Sequence, residues 1–278
     1  MQYGFVIPGG DPRTCAELAA EAEAAGWDGV FVPDGISIEG FPMHDPWVVL
    51  AAMAMRTERV KIGPMLTAIS RRRPWKLARE TMSVDHLSNG RLILSVGLGA
   101  LDDGGLTRVG EATDRTIRAQ RMDEALEILV GLWSGQPFSY QGTHYQVQEM
   151  TFLPTPIQSP RIPIWVVGAW PRPKSMQRVL RWDGLLPTMI NPDGSFKAPT
   201  PTDIREMKAF IDERRTATTP FDIIMEGETP GKDRARAQEI VGPFIEAGIT
   251  WWLESMWTST GGAKAMRARI AQGPPRPA

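Results

Sequence analysis

The sequence predicts an α/β protein, a (β/α)8 TIM barrel with a small β-hairpin insertion after the fourth helix. Three observations carry that expectation. Short apolar runs alternate with longer segments of helical periodicity eight times along the chain, and strand-then-helix alternation calls for a parallel sheet with crossover helices. Eight repeats close a barrel, whereas an open doubly wound sheet more often uses about five to seven strands. The 278 residues exceed a modal domain, but single barrels commonly run to about 250 residues. One domain over residues 1–272, followed by a flexible tail at 273–278 (GPPRPA), is the expected organisation.

The elements follow in order. Strands are expected at 3–7, 29–32, 60–66, 92–96, 164–167, 184–188, 222–226 and 249–253. Helices are expected at 13–25, 44–56, 73–87, 115–134, 173–181, 202–215, 233–246 and 260–271. In the first helix, alanines and Leu18 pack one side while Glu17, Glu21 and Glu23 solvate another, and Gly26 supplies the stop. Asp28-Gly29 then turns the chain into the second strand. The longest gap holds Phe138 to Val147, whose alternation around Gln141-Gly142 reads as a β-hairpin.

Composition excludes several classes of function. With 31 basic and 32 acidic residues the net charge is −1, which removes the electrostatic reason to expect nucleic acid or a membrane surface as partner. Cys15 is the only cysteine, so neither an intrachain disulfide nor a multi-cysteine metal cage can form. The longest apolar run, Val48 to Met55, is far below the roughly 20 residues a bilayer span needs. No leader pattern precedes the first strand, so a cytoplasmic protein is the expectation. The ten tryptophans and 24 prolines read either as aromatic-lined stiff loops or as bulky core packing.

In a βα barrel the chemistry gathers at the C-terminal strand ends. Those ends carry Pro33-Asp34-Gly35, Met65-Leu66-Thr67, Gly97-Leu98-Gly99, Gly168-Ala169-Trp170, Thr188, Glu226 to Glu228, and Glu254 to Trp257. Gly97 and Gly99 start a dinucleotide-like fingerprint that fails at Asp102, where its third glycine would stand. The turn from Gly168 to Ser175 leads into a helix; it reads as a phosphate cradle aided by Arg172 or Lys174, or as an ordinary strand-to-helix turn. Glu226 and Glu254 are candidate acids or bases if burial shifts them; the alternative is an ion pair with a neighbouring arginine. His44, His86 and His144 show no metal-ligand spacing, and no metal is expected. His44, beyond the second strand, is the one histidine on the catalytic side.

The stretch TERVKIGPMLTAISRRRPWKLARETMSVDHLSNGRLILSVGLG, residues 57–99, resembles the signature core of the bacterial-luciferase-like oxidoreductases. AEAAGWDGVFVPD before it, and MDEALEILVGLWSGQPFSYQGTHY and PIWVVGAWPRPKSMQRVLRWDGLLP after it, are similar to that family too, so the likeness extends to about residue 188. The resemblance implies a (β/α)8 barrel that binds reduced FMN or the deazaflavin coenzyme F420 and performs monooxygenation or hydride transfer on a small organic substrate. It implies that Met65, Leu66 and Thr67 support the isoalloxazine face, where a bulge and a non-prolyl cis peptide are common in the family. It places Gly97 and Gly99 beside the cofactor and Gly168, Ala169 and Trp170 at its phosphate, with Arg172 adding charge. Asp34 belongs to the family's Asp-His pair, but Gly35 stands where many members carry the histidine. The proton-handling group must then come from elsewhere, His44, Glu226 and Glu254 being the catalytic candidates. The resemblance also implies a homodimer through the helices after the second and third strands. Two other readings compete: a phosphate-handling barrel such as an isomerase or aldolase, and a non-catalytic flavin or deazaflavin carrier.

Overall fold

The computed structural model describes residues 1–191, 195–257 and 261–277. In chain order the strands are β1 (Gln2–Val6), β2 (Gly29–Asp34), β3 (Lys61–Ala68), β4 (Leu94–Gly97), β5 (Pro137–Gln141), β6 (Gln146–Thr151), β7 (Ile164–Trp170), β8 (Gly184–Ile190), β9 (Phe196–Lys197), β10 (Asp222–Gly227) and β11 (Trp251–Ser255). The helices are α1 (Pro12–Ala24), α2 (Pro46–Arg56), α3 (Pro74–Leu87), α4 (Gly104–Thr107), α5 (Arg115–Trp133), α6 (Pro173–Val179), α7 (Pro201–Arg214), α8 (Arg234–Ala247) and α9 (Gly262–Ile270). Strand order through the main sheet is β10-β11-β1-β2-β3-β4-β7-β8-β9, and β10 also pairs with β8. Without the short antiparallel β9 this is the cyclic order of a (β/α)8 barrel.

Every expected strand and helix is present within a few residues. The hairpin is β5–β6, one residue offset from the expected start. Position 260, the expected start of the last helix, and Ala278 of the expected tail lie outside the described residues. The short α4, the 3-10 turn Ile69–Arg71 and β9 are additions that no periodicity announced. Many prolines serve as helix starters: α2, α3, α6 and α7 each carry one in the first turn, where a missing N–H costs nothing. Asp45 and Asp114 cap α2 and α5, Thr200 and Asp203 form a capping box on α7, and Gly248 ends α8 in the left-handed conformation.

The chain divides into two compact units. The first comprises Met1–Pro8, Leu18–Phe31 and Ile164–Ala278. Its parallel strands run β8-β10-β11-β1, with β1 continuing onto the start of β2. Phe31, Trp165 and Trp251 meet in an aromatic cluster with ring centroids 5.3–6.1 Å apart. Toward the end of the chain Gln238 donates to the Pro275 carbonyl, while Arg276 donates to the Gly26 carbonyl and to Asp28.

The second unit comprises Gly9–Glu17 and Val32–Pro163. Here β3 pairs with β4, α2 and α3 pack together, and α5 packs on α3. Buried Arg91 holds the β3 approach by donating to Thr57 Oγ1 and to the carbonyls of Ala54, Thr57, Val60 and Ser88. No described helix is long and apolar enough to cross a membrane.

Candidate functional site

In the second unit the ends of β2 and β3 are joined by charge. Asp34, the last residue of β2, has a fully buried side chain. Arg71 Nη2 donates to its Oδ1 at 2.7 Å, and Arg72 donates from Nη2 to Oδ1 at 2.7 Å and from Nε to Oδ2 at 3.0 Å. Burial alone would lower the Arg72 guanidinium, but Asp34, helped by Glu80 and Asp45, outweighs it and holds the group above its ordinary value. Arg71 Nη1 also lies 3.5 Å from Asp103 Oδ2. Asp103 caps α4 and accepts from the amides of Ile36, Ser37 and Gly105, so the loop leaving β2 is held by the loop leaving β4. Arg118 of α5 donates to the carbonyls of Leu98 and Gly99 at 3.0 and 2.9 Å and thereby orients the turn after β4.

The Met65–Leu66 peptide is cis and not prolyl, at the place the family resemblance marked. Around it the protein leaves donors over. Thr67 Oγ1, Ser70 Oγ, Ser95 Oγ and Arg71 Nε are enclosed without a hydrogen-bond partner among the described residues, whereas buried polar atoms are normally satisfied. Leu66 and Leu98, at the ends of β3 and β4, remain partly uncovered. An apolar surface beside spare polar groups suits a flat ring system with a polar edge, so this part of the chain fits the isoalloxazine that the sequence implied. Gly99 has its own reason to be glycine: φ is +80° and a Cβ would stand 2.6 Å from that of Ala68.

In the first unit, strand alternation sorts the candidates by face. Gly168 and Trp170 of β7 point toward helices: a Cβ on Gly168 would fall 2.3 Å from Leu185 Cδ1 and 3.0 Å from Val179 Cγ2, and Trp170 packs on Phe210 of α7. On β11, Trp252 packs on Phe244 of α8 and Glu254 meets Arg269 of α9. The opposite face carries Trp165 and Ala169 of β7, Trp251 and Ser255 of β11, and Ile224 and Glu226 of β10. The registers Ile224↔Trp251 and Glu226↔Leu253 fix that phase.

The two carboxylates therefore differ. Glu254 is wholly buried and accepts from Thr229 N, Thr229 Oγ1, Trp252 Nε1 and Arg269 Nε at 2.8–3.3 Å. The ion pair with an arginine that stood as the alternative for Glu254 is present, and its oxygens are engaged. Glu226 is half-buried on the helix-free face at the end of β10. Burial pushes its carboxyl above the usual carboxylate range, against hydrogen bonding from Trp257 and Ser255, and no charge among the described residues contributes. Trp257 Nε1 donates to Oε2 at 3.0 Å.

Other candidates lie as follows. His44 is exposed, one residue ahead of the α2 cap Asp45. Asp34 spends its carboxylate on two arginines. In the turn after β7, Ala169 N–H donates to Ser175 Oγ, Ser175 and Met176 N–H donate to the Arg172 carbonyl, and Pro171 and Pro173 have no N–H. Backbone donors for a phosphate are correspondingly reduced there, leaving the side-chain charges of Arg172 and Lys174. Arg71, Arg72, Asp103, Arg118 and Ser255 were not singled out from sequence. The run Arg71-Arg72-Arg73 directly after a strand was the available signal for the first two.

Comparison with known proteins places these features. A family model described as luciferase-like monooxygenase matches residues 2–271. The chain is 34% identical over 170 residues to the F420-dependent glucose-6-phosphate dehydrogenase of Microbacterium testaceum (strain StLB037), a match covering 58% of this chain and 48% of that protein. It thus spans about half the length of that curated relative. The fold is shared with monooxygenase RslO1 from Streptomyces bottropensis, at TM-score 0.75, 20% identity and 98% coverage of each chain. It is shared equally with an F420-dependent secondary alcohol dehydrogenase in complex with an F420-acetone adduct, at TM-score 0.76, 16% identity and 98% coverage of each chain.

Proposed function

The chain belongs to the luciferase-like monooxygenase family, and from that premise we propose that it is an oxidoreductase that transfers hydride between coenzyme F420 and a small alcohol or carbonyl substrate. Preference for the deazaflavin over FMN rests on the F420-dependent relative, 34% identical over 170 residues. The observation that carries the reading is Glu226, a carboxyl at a strand end, on the face free of helices, with its proton affinity raised by burial. It supplies the proton-handling group that Gly35 does not.

Bound F420 supplies the two-electron hydride chemistry. The residues that the family resemblance assigns to it are Met65, Leu66, Thr67, Gly97 and Gly99 in the second unit for the ring system, and Ala169, Trp170 and Arg172 in the first for the phosphorylated tail. Glu226, as carboxylate, would accept the proton of the substrate hydroxyl and return it in the reverse direction. The aromatic cluster of Phe31, Trp165 and Trp251 lies on the same face of the sheet as that carboxyl. Arg71 and Arg72 hold Asp34, and through it the loop after β2.

Titration with F420 and FMN, each oxidised and reduced, tests the cofactor. Saturable binding of F420 with hydride exchange on an alcohol panel is expected; binding of neither defeats the proposal. Binding of FMN alone, with oxygen consumed on substrate addition, would give monooxygenation instead. We further propose a homodimer through α2 and α3, where Val48 and Met55 are 58% and 68% exposed and Trp75 is 38% exposed. A monomer by light scattering at micromolar concentration would refute it.

A further inference from the structure

We infer that Trp257 and Ser255 are positioning residues that orient the Glu226 carboxyl for proton transfer. This rests on the assignment of Glu226 made above and goes one step further, to the groups that aim it. The last strand and the residues just beyond it supply both. Ser255 ends β11 and shares the helix-free face of the sheet with Glu226, while Trp257 follows two residues later. Trp257 Nε1 lies 3.0 Å from Oε2, and Ser255, on the same face of the neighbouring strand, acts on the same carboxyl to lower its proton affinity. Ser255 is itself buried.

An indole N–H can only donate. It therefore stabilises the ionised carboxylate and fixes Oε2 as the oxygen it engages. Ser255 adds a second polar neighbour that favours the ionised form. Burial opposes ionisation and the two donors favour it, so the base is raised above the ordinary range while both donors limit that rise. Among the described residues no competing charge acts on it. Ser255 and Trp257 do not titrate in the working range, and neither does Thr188 on β8. Asp222, on the same face at the start of β10, is engaged by Thr250 and Trp165. Glu254 points to the helix side, and Glu228 is exposed beyond the strand.

The test follows the carboxyl itself in the cofactor-free chain. In pH-difference infrared spectra, the protonated carboxyl band that disappears in Glu226→Gln reports the titration of Glu226. Trp257→Phe keeps the ring and removes the donor; Ser255→Ala removes the other. Each is expected to move the midpoint upward by about one pH unit, the scale of one hydrogen bond to a charged group. In the F420-loaded enzyme the acid limb of kcat is expected to rise in step. Midpoints unmoved in both variants would overturn the inference, whatever the activity. Full turnover in Glu226→Gln, with the midpoints moved, would instead overturn the assignment of the proton to Glu226 and leave the two hydrogen bonds established.

Discussion

Arg71 holds Asp34 twice, donating from one nitrogen to its carboxylate and to its backbone carbonyl, each at 2.7 Å. The contact ties the end of β2 to the turn after β3, and Arg72 closes on the same carboxylate from its other side. Removing the carboxylate would leave two enclosed guanidiniums facing a neutral group. Asp34→Asn is therefore expected to cost about 3–5 kcal/mol of unfolding free energy, the range for breaking a buried ion pair from one side. Urea unfolding measures it directly. A loss below about 1 kcal/mol, the range of exposed pairs, would show that the cluster contributes little.

Acid should loosen the loop after β2 through Asp103. Burial works to raise that carboxyl, but hydrogen bonds from the Ser37, Gly105 and Ile36 amides, with Arg71 nearby, outweigh it and hold the group below its ordinary value. A carboxyl depressed on folding contributes stability that is complete above its unfolded pKa of about 4 and is lost as pH falls through the folded value. Hydrogen exchange at Ile36 and Ser37, corrected for intrinsic rate, should be slow above that range and faster below it. Asp103→Ala should give fast exchange at both ends. Protection unchanged in the variant would mean that another group holds the loop.

Glu226 and Glu254 show how far the sequence could be read. Both were visible as carboxylates at strand ends, because apolar runs and turn residues mark those ends locally. Which face each one takes was not visible. Face depends on the register between β10 and β11, where Glu226 pairs with Leu253 and Glu254 with Gly227; that is one residue out of phase, enough to send the two groups to opposite sides of the sheet. Trp251 and Trp252 are adjacent on one strand, so only one can face inward; the contacts with Phe31 and Trp165 show that it is Trp251. The clamp on Asp34 was hidden for a different reason. Its arginines stand 37 and 38 residues away, and no periodicity connects positions so distant. Most of the tryptophans proved to be core filler, Trp27, Trp47, Trp133, Trp165, Trp251 and Trp252 all being buried.

Cys15 gives a probe of opening rather than of chemistry. Burial, with Asp11 adding to it, pushes its thiol up to about 12, and its Sγ points at the Gly10 carbonyl. Since the thiolate is the reactive form, the native chain should resist thiol-specific alkylation at pH 8 and react stoichiometrically in urea. Rapid modification of the folded protein would show that the start of α1 opens on the timescale of the reagent.

Gly168 separates a packing role from a ligand role. The resemblance puts it beside the cofactor phosphate, but its missing side chain faces Leu185, Val179 and the Met176 sulfur at 2.3, 3.0 and 3.1 Å. Leu185 and Val179 are fully buried, so neither can swing into solvent. A methyl group there must push α6 outward or distort β8, and overpacking of this kind costs about 1–3 kcal/mol. Gly168→Ala is expected to lower the urea midpoint with the slope unchanged, while F420 affinity, measured at low denaturant where the variant remains folded, falls much less than tenfold. The opposite pattern, stability intact and cofactor affinity lost, would place a phosphate against the backbone and return the turn after β7 to the role that the sequence resemblance gave it. The crowding at Gly168 and the in-house bonding of the neighbouring amides both argue for the first outcome, with Arg172 and Lys174 left to hold the anion by charge.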